Sequence, residues 1–218
     1  MKLNDDTLAI LKSFSSINPS IHFRKGSDLK TISPSKTILA KAKLSEEISN
    51  EFAIYDLSRF LGVVSLFSEP VFEVTDKFVK ISSQGRAVQY TNCDPSTIVT
   101  PPDRQLDIGD ADVSFDMKKE HFAEIMKALG VMSLPDFVVV GDGSNIYLRA
   151  VDTKNPSSDR YDVEVGTTDK TFNVVFRTEN MKIIPADYTV SISSKGISHF
   201  ESDNVEYWIA IESTSTFE

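Results

Sequence analysis

The residues that could perform chemistry are few and are scattered along the chain. The three histidines fall in different predicted elements, and none stands at metal-ligand spacing from the single cysteine, Cys93, or from a pair of carboxylates. Cys93 has no neighbouring base or second thiol in the sequence, so neither nucleophilic catalysis nor a disulfide is indicated. The pattern predicts that the protein is not an enzyme and holds no metal or cofactor. The histidines are His22, His121 and His199.

Two further segments imitate ligand sites without matching the corresponding templates. Four aspartates between Asp107 and Asp116 suggest calcium, but the spacing lacks the glycine and the closing glutamate of an EF-hand loop. A solvated linker followed by a helix cap explains them better. Gly141-Asp142-Gly143 lacks the Lys-Ser/Thr pair of a phosphate loop and precedes a predicted strand, so a hairpin turn is expected there.

Composition and charge narrow the class of protein. The 218 residues are 40% hydrophobic and 25% charged, which is typical of a globular chain with a sizeable core and excludes disordered, collagen-like and coiled-coil classes. The chain has a formal net charge of −9, whereas sequence-specific DNA-binding proteins usually carry a broad basic surface. A local basic patch remains compatible with this net charge. Met1–Asp6 has no signal-peptide pattern and no apolar run reaches a membrane span, so an intracellular protein without membrane contact is expected.

The first half of the chain is predicted to combine two helices with short strands. Apolar residues at helical spacing predict a helix over Asp5–Ile17 and a second over Leu57–Phe67, capped by Asp56. Glycine and proline indicate turns at Gly26–Asp28 and Ser33–Ser35. Strands are expected over Ser20–Arg24, Lys36–Leu44, Glu51–Ile54, Val71–Val74, Phe78–Ser82 and Ala87–Thr91.

A similar order returns after a segment rich in proline and aspartate, Asp94–Asp112. Here Asp116 is predicted to cap a helix that ends at Leu129 with Gly130 as its C-cap, and Thr178–Ile184 is predicted as a second, short helix. We therefore predict an internally duplicated α+β chain with domains at residues 1–93 and 113–218, joined by a connector at 94–112. Strands are expected over Val113–Phe115, Phe137–Val140, Ile146–Val151, Tyr161–Val165, Thr171–Phe176, Tyr188–Ser193 and Val205–Glu212.

The predicted helices carry cations on the faces opposite their apolar residues. The faces around Lys12 and Arg59 otherwise hold mainly alanine, serine and glycine. Such a smooth cationic wall attracts phosphates without reading bases, whereas the alternative is a plain solvated face. Glu120 and Glu124 share a face with Lys127, which favours that alternative for the third helix. The candidate DNA-facing residues are Lys2, Lys12, Arg59, Lys118, Lys119, Lys127, Arg177 and Lys182.

Several stretches carry a specific resemblance. The long stretch Phe52–Leu66, the connector start Asp94–Val99, the segment Asn180–Pro185 and the ending Ile209–Glu212 resemble, in this order, the sliding clamps of T-even-type bacteriophages. The opening Met1–Leu3 and the helix after it also match, so the resemblance runs from end to end. The loops at residues 26–36 and 155–159 depart from the family pattern.

The resemblance implies the DNA-clamp fold, related to proliferating cell nuclear antigen and to the bacterial β clamp. Two similar β-rich domains per chain would build a homotrimeric ring, with sheets outside and helices lining the central hole. Such a protein encircles duplex DNA independently of sequence and acts as the processivity factor of the phage replicative polymerase. The partners implied are this polymerase, a clamp loader and late-transcription factors, and the location is the cytoplasm of the infected bacterial host.

The resemblance also implies two interaction surfaces. The edge strand before the connector would pair with an edge strand in the second domain of the next subunit. Partner peptides would dock near the connector, although its apolar residues equally suit packing on the domain. The candidate subunit-interface residues are Arg86, Val88 and Tyr90 with Tyr161, Val163 and Val165, and the candidate partner-binding residues are Ile98, Val99, Leu106 and Ile108.

Two other functions fit parts of the sequence. A β-rich, non-enzymatic phage structural or assembly protein would share the acidic composition but would not need cations on helix faces. A module for single-stranded DNA would stack bases on aromatic rings. The 14 phenylalanines, however, fall mainly at apolar positions of the pattern, where core packing explains them better.

Overall fold

The computed structural model describes residues 2–104 and 106–218, which divide into two compact units, Met1–Arg104 and Gln105–Glu218. The predicted connector is shared between them, since residues 94–104 belong to the first unit and 106–112 to the second. In the described part of the chain, no helix has the length and apolar character needed to cross a membrane.

Two helices of the first unit begin at the predicted residues. Helix α1 spans Asp5–Ile17 as predicted, and the side chain of Asn4 accepts a hydrogen bond from the Thr7 amide at its start. Helix α2 spans Leu57–Val64, and its cap Asp56 accepts from the Arg59 amide at 2.9 Å. Helix α2 is three residues shorter than predicted, because the next turn tightens into i→i−3 hydrogen bonds.

The strands of the first unit form a short antiparallel pair, a hairpin and a three-stranded sheet. The pair is β1–β4, the hairpin β2–β3 and the sheet β5-β6-β7. The turn predicted at Gly26–Asp28 is wrong, because β2 begins at Gly26, whose φ of +108° belongs to a bulge rather than a reversal. The strands are β1 (Ile21–Phe23), β2 (Gly26–Ile32), β3 (Ile38–Ile48), β4 (Phe52–Ile54), β5 (Val71–Val74), β6 (Phe78–Ser83) and β7 (Arg86–Thr91).

The second unit contains one α-helix, α3, and two antiparallel sheets in its described residues. One sheet has the order β11-β10-β9-β12-β16, and the other places β8, β13, β14 and β15 side by side. Strands β14 and β16 were not predicted; the apolar residues of β14 lie three apart and show no alternation. The elements are β8 (Val113–Met117), α3 (Lys119–Met132), β9 (Asp136–Asp142), β10 (Asn145–Val151), β11 (Tyr161–Thr167), β12 (Thr171–Arg177), β13 (Tyr188–Ser193), β14 (Ile197–Glu201), β15 (Val205–Ala210) and β16 (Thr216–Phe217).

Aromatic rings fill the core between the two sheets of the second unit. Phe176 of β12 meets Phe200 of β14 edge to face, with ring centroids 6.0 Å apart. Phe137 extends the cluster on one side and Tyr188 on the other, also edge to face. These rings are nearly all fully buried, so phenylalanine serves the core here, as the pattern of the sequence predicted.

The start of α3 differs from the prediction. Asp116 is not its cap, because it lies in β8, where its carboxylate accepts from the Thr189 hydroxyl at 3.1 Å. Asp187 takes that role instead: its carboxylate accepts from the Lys119 amide at 2.8 Å and from Lys118 Nζ at 3.1 Å. The cap is therefore supplied by a residue 68 positions away. Gly130 is not the C-cap either, since the helix continues to Ser133, which ends it with a φ of +53°.

The predicted helix at Thr178–Ile184 is also wrong. Only a single 3-10 turn forms, at Thr178–Asn180. The backbone beyond it bonds to tyrosine side chains instead of to its own turn, since the Ile184 amide donates to the Tyr207 hydroxyl at 3.2 Å and the Ile184 carbonyl accepts from the hydroxyl of Tyr188. These tertiary contacts, followed by Pro185, outweigh the local helical spacing.

The Asp187 cap gives a pH-dependent prediction. The hydrogen bond from the Lys119 amide, together with the Lys118 side chain, lowers the pKa of Asp187. A carboxylate with a lowered pKa stabilises the folded state above its unfolded pKa, and that contribution is lost as the pH falls through its folded value. We expect Asp187→Ala to lower the free energy of unfolding in urea at pH 7, with the difference from the wild type closing as the pH falls below about 4. Asp116→Ala is the control, and an equal loss in both variants would contradict the cap assignment.

Candidate nucleic-acid interface

Helices α1 and α2 lie against each other in the first unit and expose one cation each. Leu11 and Phe14 of α1, and Phe60 of α2, are fully or almost fully buried, while Lys12 and Arg59 lie on the exposed sides. Within the described residues, neither cation is paired with a carboxylate. The two side chains are therefore available to an anion from outside the unit.

The surface around these cations is small and polar. A shallow groove between the helices is lined by Lys12 with serines and aliphatic side chains. Gly62 on α2 has open space where a Cβ would lie, so its small size is not required by packing inside the unit. The exposed faces of both helices thus offer little side-chain bulk next to their positive charge.

Helix α3 carries the second group of predicted cations. Lys119 and Lys127 are exposed and have no carboxylate partner in the part of the chain that is described. Lys118 is held by Asp187, whose hydrogen bond raises the pKa of Lys118. Glu124, which the sequence placed beside Lys127, accepts a hydrogen bond from the Tyr161 hydroxyl of β11.

Three predicted cations stand in other surroundings. The expectation that Arg177 and Lys182 lie on a helix is wrong, because Arg177 ends β12 and Lys182 follows the 3-10 turn in irregular backbone. Lys2, ahead of α1, lies 3.5 Å from the carboxylate of Glu69, in an exposed ion pair.

Arg177 belongs to an ion-pair network built around a buried carboxylate. Its Nη1 lies 2.8 Å from Oδ1 of Asp136, a side chain with 0% exposure, and its Nε lies 3.4 Å from Oε2 of Glu212. The other oxygen of Asp136 accepts from the amide and hydroxyl of Thr153, at 2.9 and 2.6 Å. These contacts supply the buried carboxylate with a counterion and hydrogen bonds. They also give the Arg177 guanidinium a structural role within the unit.

The two predicted interface strands are both sheet edges. In the described residues β7 pairs with β6 alone and β11 with β10 alone, so each exposes one row of backbone donors and acceptors. On β7 the ring of Tyr90 packs edge to face on Phe60 at 5.2 Å, and its hydroxyl donates to the Asp56 carbonyl at 3.0 Å. Tyr90 and Val88 therefore share the inward face of β7, while Arg86 is exposed at its start.

Strand β11 shows the same division of its faces. Val163 is buried, Val165 is half-buried, and Tyr161 bonds towards α3 through Glu124. The outward face carries Asp162, whose carboxylate takes two hydrogen bonds from Arg149 of β10, at 2.7 and 3.0 Å. Sequence reasoning missed this bidentate pair, because only the strand register brings Arg149 opposite Asp162.

The four predicted partner-binding residues fall in different units. Ile98 and Val99 lie in the first, where Val99 is 41% exposed and its carbonyl accepts from Nδ2 of Asn18 at 3.0 Å. Leu106 and Ile108 lie in the second and are half-buried. Residue 105, between the two pairs, lies outside the described residues.

The histidines stay apart from one another in the structure. His22 contacts Glu51 at 2.7 Å, and His199 contacts Glu206 at 3.2 Å while stacking on Trp208. Among the described residues, no three histidine, cysteine, aspartate or glutamate side chains are grouped to hold a metal ion.

Comparison with known proteins decides the family. Residues 4–100 match the family model described as DNA polymerase processivity factor, and residues 114–213 match the model described as gp45 sliding clamp, C terminal. The sliding clamp of Vibrio phage KVP40 is 32% identical over 97% of this chain and 99% of its own length. This chain belongs to the phage sliding clamp family. The sliding clamp of Escherichia phage RB69 is 31% identical over 99% of both chains.

Solved structures share the fold at much lower identity. PCNA from Thermococcus kodakaraensis superposes with a TM-score of 0.71 at 14% identity, covering 96% of this chain and 98% of its own. The Helicobacter pylori β clamp bound to a DNA ligase peptide gives 0.71 at 14% identity, covering 97% of this chain and 65% of its own. The predicted α+β clamp fold is confirmed. The chain is a DNA sliding clamp and polymerase processivity factor of the phage type, and the comparisons do not support the structural-protein alternative.

The contrast between Arg177 and Lys12 gives a second prediction. We expect Arg177→Met to lower the free energy of unfolding by about 3 kcal/mol, because the buried Asp136 carboxylate loses its counterion. The matched change Lys12→Met removes an exposed cation without a partner and should alter that free energy by less than about 0.5 kcal/mol. Urea denaturation of both variants measures the difference. Similar, small losses in the two proteins would contradict a structural role for Arg177.

Proposed function

We propose that this chain forms a homotrimeric ring that encircles duplex DNA and tethers the phage replicative polymerase to its template without catalysing a reaction itself. The observation that carries the proposal is that two cations, Lys12 and Arg59, lie on small polar helix faces without a carboxylate partner in the described part of a chain whose net charge is −9. Membership of the family supports a role on DNA. The arrangement of charge supports the proposal that DNA passes along the helix faces that carry these two cations.

Such a surface suits sliding. Phosphates recur along DNA irrespective of sequence, so cations that contact only phosphates hold the duplex at no particular site. Lys12 and Arg59 have no fixed carboxylate partner among the described residues, so no ion pair has to break when one phosphate replaces another. Lys119 and Lys127 on α3 supply the same kind of charge in the second unit. The acidic excess of the other surfaces disfavours DNA there.

The two edge strands support closure of the ring by antiparallel pairing between subunits. Side chains alternate between faces, so the inward residues Val88 and Tyr90 must align with inward residues of β11. Placing Val88 opposite Val163 puts Tyr90 opposite Tyr161 and Arg86 opposite Val165. The outward neighbours Ala87 and Glu164 then face each other across the interface.

The proposal includes the partners of the ring. Ile98 and Val99 in the first unit, and Leu106 and Ile108 in the second, are proposed to contact the polymerase and the clamp loader. Late-transcription factors are proposed to use the same connector surface. These contacts would take place in the cytoplasm of the infected bacterium, where the phage genome is copied.

Charge reversal tests the DNA-facing assignment. We expect Lys12→Glu combined with Arg59→Glu to preserve folding and assembly but to reduce loader-dependent stimulation of the polymerase by roughly tenfold or more, because attraction for phosphates becomes repulsion. The matched control, Lys77→Glu with Lys154→Glu, makes the same change of charge at two exposed loop lysines. Primer-extension length on singly primed template is the measurement. Undiminished stimulation by the first variant would contradict the assignment.

Cysteine cross-linking tests the subunit interface and its register. In a Cys93→Ser background, we expect Ala87→Cys with Glu164→Cys to give covalently linked trimers under mild oxidation, since directly opposed outward residues lie within disulfide reach. The pair Gln89→Cys with Glu164→Cys is the control for a register shifted by two residues. Light scattering on the unmodified protein should give three times the mass of the chain. A strict monomer at every concentration, with no cross-link, would overturn the ring.

A further inference from the structure

The side chain of Asn18 is buried in the first unit and uses its full hydrogen-bonding capacity. It is 2% exposed and follows the last residue of α1. Its Nδ2 donates to the Ile32 carbonyl at 2.9 Å and to the Val99 carbonyl at 3.0 Å, and its Oδ1 accepts from the amide and hydroxyl of Ser20, both at 3.0 Å. A carboxamide has two donor hydrogens and two acceptor positions, so all four are used.

The partners of Asn18 belong to separate parts of the unit. Ile32 ends β2, Ser20 precedes β1, and Val99 lies in the connector. The neighbouring Pro19 carbonyl accepts from the Leu57 amide at 2.7 Å, which is the first amide of α2. The segment 18–20 therefore joins the end of one cationic helix, the start of the other and the connector.

The connector needs such an anchor. Its residues 98–104 form no strand or helix, and Asp103 is held by an exposed ion pair with Arg24. An exposed ion pair contributes little to order, whereas the Asn18 bond to Val99 is part-buried and comes from an amide that is 2% exposed. Losing the amide would leave the Val99 and Ile32 carbonyls without this donor, and the connector would lose this link to the buried end of α1.

We propose that Asn18 is a positioning residue for partner binding. By fixing the Val99 backbone, it holds the exposed Val99 side chain and the adjacent Ile98 in one place, ready for an apolar peptide segment of a partner. Order that exists before binding does not have to be created at binding, so affinity rises. This inference rests on the proposed partner surface, but its first test needs neither DNA nor a ring.

A nitroxide probe at residue 99 tests the anchoring directly. The protein carries Val99→Cys in a Cys93→Ser background, and the spectrum of the free protein reports probe mobility by electron paramagnetic resonance. With Asn18 present, we expect a restrained probe. Asn18→Asp should shorten its rotational correlation time several-fold, because a carboxylate donates no hydrogen bond and repels the two carbonyl oxygens.

Asn92→Asp is the matched control. The Asn92 amide also donates to a backbone carbonyl, that of Thr75 at 2.8 Å, and so holds a segment other than residues 98–104. We expect this variant to leave the probe restrained.

A second test uses unlabelled protein. Asn18→Asp should reduce polymerase tethering roughly fivefold, while the trimer mass and the retention on closed circular DNA stay unchanged. General destabilisation would instead lower all three quantities.

Three results would overturn the proposal. One is equal probe mobility with Asn18 and with Asp at this position, and another is undiminished tethering by Asn18→Asp. Should that variant fail to fold, the test is made in protein that keeps Asn18. A probe at residue 99 that is as mobile as a probe at the exposed loop position Ser157 would then exclude anchoring. Failure of the ring or of DNA retention in the unmodified protein would instead count against the proposed function, and the probe result would stand independently.

Discussion

Burial of one apolar face of each helix determines which of its side chains remain exposed on the opposite face. In α1, Ile10, Leu11, Phe14 and Ile17 enter the core, so Lys12 must project outward. In α2, burial of Leu57, Phe60 and Val64 places Arg59 outside in the same way. The cations need no partner of their own in the unit, because packing on the opposite face fixes the helix. A surface that is both rigid and chemically unspecific follows from this division.

The sheets impose a second constraint, since in the described part of the chain β7 and β11 each pair on one side only. Strands β7 and β11 leave one edge free, and their inward faces are already fixed by Tyr90 on Phe60 and by Tyr161 on Glu124. An incoming strand can therefore pair only in registers that match these faces. The bidentate pair of Arg149 and Asp162 ties β11 to β10, and the shift of register between Ile146 and Tyr147 leaves one extra residue, Val165, in β11.

Contacts between residues distant in sequence account for what the pattern of the chain failed to predict. The spacing at Thr178–Ile184 suits a helix, yet two tyrosine hydroxyls bind its backbone and only a 3-10 turn remains. Asp116 had the right residue type for a cap, but Asp187 reaches the helix start instead. Arg177 has the residue type of a surface cation, but its guanidinium pairs with the buried carboxylate of Asp136. In each case the decisive partner lies too far along the chain for local periodicity to reveal.

The sequence by itself determined the three amphipathic helices, most strands and the family, because these depend on local periodicity and on motifs of contiguous residues. It also predicted that Lys12 and Arg59 are exposed, since a cation opposite an apolar stripe must face outward. Only the tertiary structure decided which cations were free, which carboxylate capped α3, and how Asn18 joined the connector to the first unit. Hydrogen bonds and ion pairs act over about 3 Å, so their partners are settled only when the fold brings distant residues together.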